Sequence, residues 1–194
     1  MKIGIITCED LSRYFESSED PLITHDDLVM VSCLRSRGHE VVAIPWGQEV
    51  SSLQDYDVFV VRSPWDYMDS PSKREGLFTW LKELDSLGKP IENPVGLMLW
   101  NLDKHYLKDL SDQGIEIVET KFIEPSSALN KEVLRKHFNE FGAFVLKPCI
   151  SAAAKDTFLV SSLESIETLE DANGKVEGDM EDWRAGRGFM IQPF

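Results

Sequence analysis

Cysteine is scarce in this sequence: Cys8, Cys33 and Cys149 are odd in number and widely spread over 194 residues. That excludes a disulfide framework, offers no zinc-ligand spacing, and fits a protein of the reducing cytoplasm. Packing is the ordinary role for all three, with Cys149 set apart because it follows Lys147-Pro148. Positive charge is also short, with 20 Lys and Arg against 34 Asp and Glu and a net charge of −14. Nucleic acid and anionic membranes are therefore poor candidates for the main partner, and a bound polyphosphate would need a local positive cluster. No apolar run approaches the roughly 18 residues of a membrane span. The start, Met1-Lys2-Ile3-Gly4-Ile5-Ile6-Thr7, is too short and too quickly acidic for a secretion signal. No Gly-x-Gly-x-x-Gly follows the first strand signal, which argues against a Rossmann dinucleotide site. What is present, 42% hydrophobic and 28% charged residues, is the composition of an ordinary globular chain of one large or two small domains.

The first ninety residues alternate strand and helix signals. Lys2 to Thr7 is a β-branched run. Thr24 can cap a helix from about His25 to Arg37, with Gly38 ending it. Glu40 to Pro45 and Asp57 to Arg62 read as strands, the second apolar enough to be buried on both faces of a parallel sheet. Ser70-Pro71 starts a helix whose Leu77, Leu81 and Leu84 line one side. This pattern predicts a doubly wound α/β domain over residues 1–95. A second unit, 96–194, reads as a helix from Asn101 to about Gln113, an alternating strand from Ile115 to Ile123, and a helix opened by Asn130. The Phe144 to Pro148 strand follows, with Thr157 to Val160 as its hairpin partner. Ser161 and Glu164 suggest one more helix, carrying Leu163, Ile166 and Leu169. The acid-rich stretch from Glu164 to Asp182 reads as solvated surface.

Two lysines invite a chemical reading. Lys147 ends an apolar strand, held by the proline after it, and an ammonium is a compact charge suited to phosphate. The loop behind it, Cys149 to Lys155, holds four consecutive small residues that let backbone N–H groups approach a ligand, though it has no glycine. Lys104 is expected in the first turn of a helix, where a cation is mildly unfavourable unless an anion is shared. Either lysine alone is equally well a solvated surface residue. His105 and His137 fit helix-surface residues better than catalysts.

Taken in order, Asn101-Leu102-Asp103-Lys104, a Gly114-Ile115 strand, Phe144-Val145-Leu146-Lys147-Pro148 with a small-residue loop, and Ile191-Gln192-Pro193-Phe194 resemble the ATP-grasp superfamily. Within it the chain is similar to the glutathione-synthetase-type carboxylate–amine ligases, including the cyclo-ligases of the cycloserine pathway. Arg62-Ser63-Pro64-Trp65-Asp66-Tyr67, Cys8-Glu9-Asp10 and Asp26-Asp27 extend the likeness upstream. The resemblance covers the whole chain but only about the first two-thirds of such an enzyme. It implies a pre-ATP-grasp domain followed by an α+β ATP-grasp N-subdomain, with ATP and Mg2+ as cofactors.

By the same resemblance, Lys104 and Lys147 would hold ATP phosphates, with Ser151, Ala152 and Ala153 in the phosphate-covering loop. Gln192, Pro193 and Phe194 would form the adenine-edge hinge, and Arg62, Trp65, Asp66 and Tyr67 would face the substrate. The implied reaction passes a γ-phosphoryl group to a small-molecule carboxylate and lets an amine displace phosphate from the acyl phosphate. The family's magnesium carboxylates, its Asn ligand and its ribose-binding acid come after the hinge. These 194 residues alone are thus expected not to turn over, and to bind nucleotide weakly. Two lysine contacts of about 1.5–3 kcal/mol each give roughly millimolar binding. Packing for Trp65 and Tyr67, and a turn cap for Asp66, are the plain alternatives. Two other readings stay open: a flavodoxin- or receiver-like binding module built on Glu9, Asp10 and Asp66, and a non-catalytic half that pairs with a partner chain along an exposed final strand.

Overall fold

The computed structural model describes residues 1–9, 11, 21–125, 129–152, 154–167, 170–171, 174–175 and 188–194. They fold as two compact units, Met1–Leu99 and Trp100–Phe194.

In the first unit, β1 (Lys2–Thr7), β2 (Glu40–Pro45), β3 (Val58–Ser63) and β4 (Ile91–Glu92) form one sheet in the order β2-β1-β3-β4. All its pairings are parallel. β1 lies at the interior, buried from Ile3 onward, which is why its sequence is apolar without alternation. Gly4 sits where a Cβ would come within 2.6 Å of Ile44 Cδ1 and 2.8 Å of Phe59 Cδ1; the neighbouring strands' side chains close over it. Helix α1 (His25–Ser36) begins where Thr24 accepts the Asp27 N–H at 3.1 Å, and α2 (Pro71–Asp85) where Ser70 accepts the Lys73 N–H at 3.2 Å. These caps satisfy N–H groups that lack intrahelical partners. On α2, Leu77, Trp80, Leu81 and Leu84 are buried. A third helix, α3 (Val95–Leu102), runs across the division between the units.

The second unit holds α4 (Tyr106–Asp112), β5 (Lys121–Ile123), α5 (Lys131–Phe141), β6 (Phe144–Pro148), β7 (Phe158–Val160), the two-residue strands β8 (Glu170–Asp171) and β9 (Gly174–Lys175), and β10 (Phe189–Pro193). Its main sheet has the order β5-β10-β6-β7, antiparallel throughout. Helix α5, capped by Asn130 and closed by Gly142 at φ +73°, places Leu134 on the sheet with Val133, Phe138 and Phe141 beside it. Phe144, Phe158 and Phe189 are fully buried there. Burying a side chain of this size is worth about 1.5–3 kcal/mol.

Four expectations are corrected. Asn101 does not open a helix: it lies inside α3, the chain breaks at 103–105, and α4 starts at Tyr106. The strand ending at Ile123 begins only at Lys121. Its partner β10 runs into Pro193, which has no N–H to extend a ladder. Residues 163–167 form turns rather than a helix, with Ser162 and Ser165 exchanging N–H to hydroxyl bonds at 3.1 and 3.2 Å; Leu169 lies outside the described residues. Finally, β10 is not an exposed edge, since β5 and β6 flank it on both sides. Among the described residues no helix is long and apolar enough to cross a membrane.

Candidate functional site

The second unit carries the lysine pair. Lys147 stands on β6 opposite Met190 of β10. Lys104 stands in the turn between α3 and α4, so the expected helix-terminal setting is replaced by something tighter. Its N–H donates to the Cys149 carbonyl at 2.9 Å, and its Nζ donates to the Ser151 carbonyl at 2.8 Å and to that of Cys149 at 3.4 Å. Backbone and ammonium together grip the loop that leaves β6.

Burial lowers the pKa of both lysines, and for Lys104 the charge of Lys147 lowers it further, against smaller opposing pulls from Cys149 and Asp103. Among the described residues neither ammonium forms an ion pair with a carboxylate. Two partly desolvated like charges without a counter-ion are costly. An anion placed between them would offset that cost.

The loop after β6 supplies the surroundings. The Cys149 N–H is spent on the Gly188 carbonyl at 2.8 Å. Ser151 and Ala152 follow with irregular backbone, and Ala153 lies outside the described residues. Ala154 and Asp156 hold φ values of +54° and +57°, and the Lys155 and Thr157 N–H groups turn back onto the Ala152 and Ala154 carbonyls. The glycine-free loop thus reaches left-handed backbone through alanine and aspartate. At the expected hinge, Gln192 donates from Nε2 to Thr120 Oγ1 at 2.9 Å. Pro193 is half-buried, the Phe194 N–H donates to the Ala143 carbonyl at 3.0 Å, and the Phe194 ring is exposed.

The first unit carries a separate charged cluster. Pairing between β1 and β3 slips at its end, from Ile6 opposite Val61 to Thr7 opposite Ser63, so Arg62 lies at a bulge. Consecutive strand residues ordinarily point to opposite faces, and a bulge re-aims them. Here Arg62 Nε and Ser63 Oγ both reach Asp27, each at 2.6 Å and each to its own carboxylate oxygen. Asp27 is 2% exposed, while the Arg62 side chain is 46% exposed. Among the described residues the guanidinium is held by its inner nitrogen only. Asp66 is buried and accepts from Trp46 Nε1 at 2.5 Å and Lys73 Nζ at 3.2 Å. Tyr67 is buried, its phenol pushed upward by desolvation with Arg74 opposing, and Trp65 is half-buried. Of these four residues Arg62 alone is exposed. Glu9 is exposed, and Asp10 lies outside the described residues.

Sequence reasoning missed a third group. Asp103, His105 and Cys149 converge, with one donor atom from each lying within 4.8 Å of the others. Cys149 lies 44 residues beyond His105, too far for any spacing rule, and His105 occupies the 103–105 turn rather than a helix surface. Burial, with Asp103 and Glu124 adding and Lys104 opposing, pushes the Cys149 thiol up to about 12. Magnesium does not fit this set, since it takes an octahedron of oxygens and the donors here are a thiol, an imidazole and a carboxylate.

A parallel α/β unit and an antiparallel sheet in this chain order are found in solved structures of ATP-grasp proteins as well. The crystal structure of D-cycloserine synthetase DcsG covers 100% of this chain at TM-score 0.73 and 18% identity, the chain covering 59% of that protein. A RimK domain ATP-grasp protein of Sphaerobacter thermophilus (TM-score 0.63, 17% identity) and the D-alanine–D-alanine ligase of Bacillus anthracis (TM-score 0.60, 20% identity) also cover the whole chain, which spans 64% and 57% of their lengths. Residues 3–93 match the family described as the N-terminal domain of D-cycloserine synthetase DcsG. Over 137 residues, 69% of the chain, the sequence is 27% identical to the cycloserine biosynthesis protein DcsG of Streptomyces lavendulae, of which it spans 44%. The chain thus shares its fold with these ATP-grasp proteins, and over residues 3–93 its sequence is similar to the DcsG N-terminal family.

Proposed function

We propose that this chain supplies the polyphosphate-binding part of an ATP-dependent carboxylate–amine ligase that works through an acyl phosphate in the cytoplasm. Residues 1–95 serve as the pre-ATP-grasp domain and 96–194 as the ATP-grasp N-subdomain. The observation that carries the reading is the lysine pair: two partly desolvated ammoniums, Lys104 and Lys147, interact without a paired carboxylate among the described residues. The likeness to ATP-grasp ligases supports the ligase class.

In this reading both lysines neutralise phosphate oxygens. Ser151, Ala152 and Ala153 border them, and Gln192 to Phe194 offer backbone groups and the Gln192 side-chain carbonyl to the adenine edge. A carboxylate oxygen of the substrate attacks the γ-phosphorus, the bond to the ADP oxygen breaks, and an acyl phosphate forms. An amine then attacks the carbonyl carbon, phosphate leaves, and the amine gives up a proton. Charge spreads over the transferring oxygens, so positioned cations do most of the work. In the first unit the outer edge of Arg62 presents two parallel N–H donors to the carboxylate of an amino-acid-like substrate.

Nucleotide titration followed by calorimetry tests this. ATP is expected to bind in the roughly millimolar range, more tightly than adenosine, with Lys147→Ala and Lys104→Ala each removing detectable binding. Equal binding of ATP and adenosine, or binding untouched by both substitutions, refutes the assignment. Hydroxylamine trapping of an acyl phosphate in the intact ligase separates this reading from a binding module.

A further inference from the structure

We infer that His105, Cys149 and Glu124 form a binding site for a zinc-like divalent cation, with Asp103 as its outer partner. The geometry begins at the imidazole. Nδ1 of His105 lies 2.6 Å from Asp103 Oδ1, which also accepts the His105 N–H at 3.0 Å. Donation of the Nδ1 hydrogen to this carboxylate leaves Nε2 as a bare lone pair. That is the carboxylate–histidine arrangement that orients metal-binding imidazoles and raises their basicity.

Nε2 in turn faces two further donors, Cys149 Sγ at 4.0 Å and Glu124 Oε1 at 3.6 Å. The ring is held from behind by Phe122, stacked at 4.6 Å. The donors come from three places in the fold: the 103–105 turn, the loop after β6, and the residue just past β5. Zinc bonds of about 2.0–2.3 Å at tetrahedral angles put donor atoms roughly 3.2–3.7 Å apart. His105 Nε2 stands within a few tenths of an ångström of that range from both donors, and Glu124, whose side chain is 61% exposed, has room to swing in toward Cys149. Sulfur, nitrogen and carboxylate oxygen together favour zinc over magnesium or calcium.

A cleft of about 300 Å³ borders the site at His105, Phe122 and Glu124, with Asp112 and Lys108 also on its wall. Charge is manageable, because a thiolate and the Glu124 carboxylate face the ion with Asp103 behind the imidazole, while Lys104 and Lys108 oppose it. Binding must displace the thiol proton, so it releases acid.

Co2+ titration of the 194-residue chain, read by absorption, gives the test, with Zn2+ affinity measured against a chromophoric chelator. One equivalent of Co2+ should produce a thiolate-to-metal charge-transfer band that Cys149→Ser abolishes and Cys33→Ser preserves. His105→Gln should remove tight Zn2+ binding. Asp103→Asn should weaken it by about 10–100-fold at unchanged stoichiometry. Glu124→Gln, at an exposed position that tolerates substitution, keeps the test decisive if the Cys149 variant does not fold, and it should weaken Zn2+ as well. A cobalt complex without the thiolate band, or Zn2+ affinity indifferent to both His105→Gln and Glu124→Gln, overturns the site.

Discussion

Replacing Asp27 with alanine tests whether one buried carboxylate organises the end of β3. Asp27 is 2% exposed, accepts from Ser63 Oγ and Arg62 Nε at 2.6 Å each, and sits in the first turn of α1. The Ser63 hydroxyl is buried, so its bond to a charged acceptor counts in full, about 1.5–3 kcal/mol. The Arg62 pair is screened, because nearly half the arginine side chain meets solvent, and is worth about 0.5–1 kcal/mol. A negative charge at a helix start adds about 0.3–1 kcal/mol. Asp27→Ala should therefore cost about 3 kcal/mol, or roughly 6–12 °C in Tm for a chain of this size. Asp27→Asn keeps the shape and one acceptor and should cost about 1–2 kcal/mol. Urea unfolding followed by tryptophan fluorescence is a suitable assay, because Trp46, Trp65 and Trp80 all lie in the first unit. A double-mutant cycle with Ser63→Ala should show coupling. An Asp27→Ala variant as stable as the parent, or a cycle without coupling, would refute the reasoning.

The lowered lysine pKa values set two opposite pH trends. Between those values and the ordinary 10.5, the unfolded chain holds more protons than the folded one, so stability rises with pH in that window. ATP affinity runs the other way, falling as pH climbs through the lowered values, and calorimetry at several pH values measures it. Cys149, raised from 9.0 to about 12, should alkylate with iodoacetamide about a thousandfold more slowly than a thiol of ordinary pKa. Peptide mapping by mass spectrometry at mild alkaline pH should find the exposed Cys33 labelled first. Ala154→Gly relieves a left-handed alanine at φ +54°; the relief of about 1–2 kcal/mol exceeds the entropy cost of about 0.5–1 kcal/mol. Thermal melts should show a small gain in stability.

The parts of the fold that were legible are the parts that local chemistry decides. Thr24, Ser70 and Asn130 cap helices because a side-chain oxygen reaches an N–H three residues on, and the apolar strands of the first unit announce a sheet buried on both faces. Asn101 misled because asparagine favours caps. The apolar run Val95 to Trp100 starts α3 earlier and carries Asn101 into its last turn. Ile115 to Thr120 alternates like a strand, yet Ile115 and Val118 are exposed, because the partner needed to pair them runs out at Pro193. The two lysines were visible as residue types, but their mutual repulsion, the grip of Lys104 on Ser151, and the convergence of His105 with Cys149 depend on contacts more than forty residues apart. A bulge at Arg62 and Ser63 is invisible to a period-2 pattern for the same reason.

If the lysine pair holds a nucleotide as proposed, it and the net charge of −14 act at different ranges. At about 0.01 M salt the Debye length is roughly 30 Å, so acids spread over the whole chain repel an approaching polyphosphate. At about 0.1 M it falls to roughly 10 Å, and only nearby charges are felt. Contacts between phosphate oxygens and partly buried ammoniums are screened much less, because little water or salt lies between them. Added salt thus removes more repulsion than attraction. ATP affinity should hold or rise severalfold between the two conditions, the reverse of a basic cleft, where binding weakens steeply with salt. A steep loss of affinity over that range would mean that a broad positive field, rather than two desolvated lysines, captures the anion.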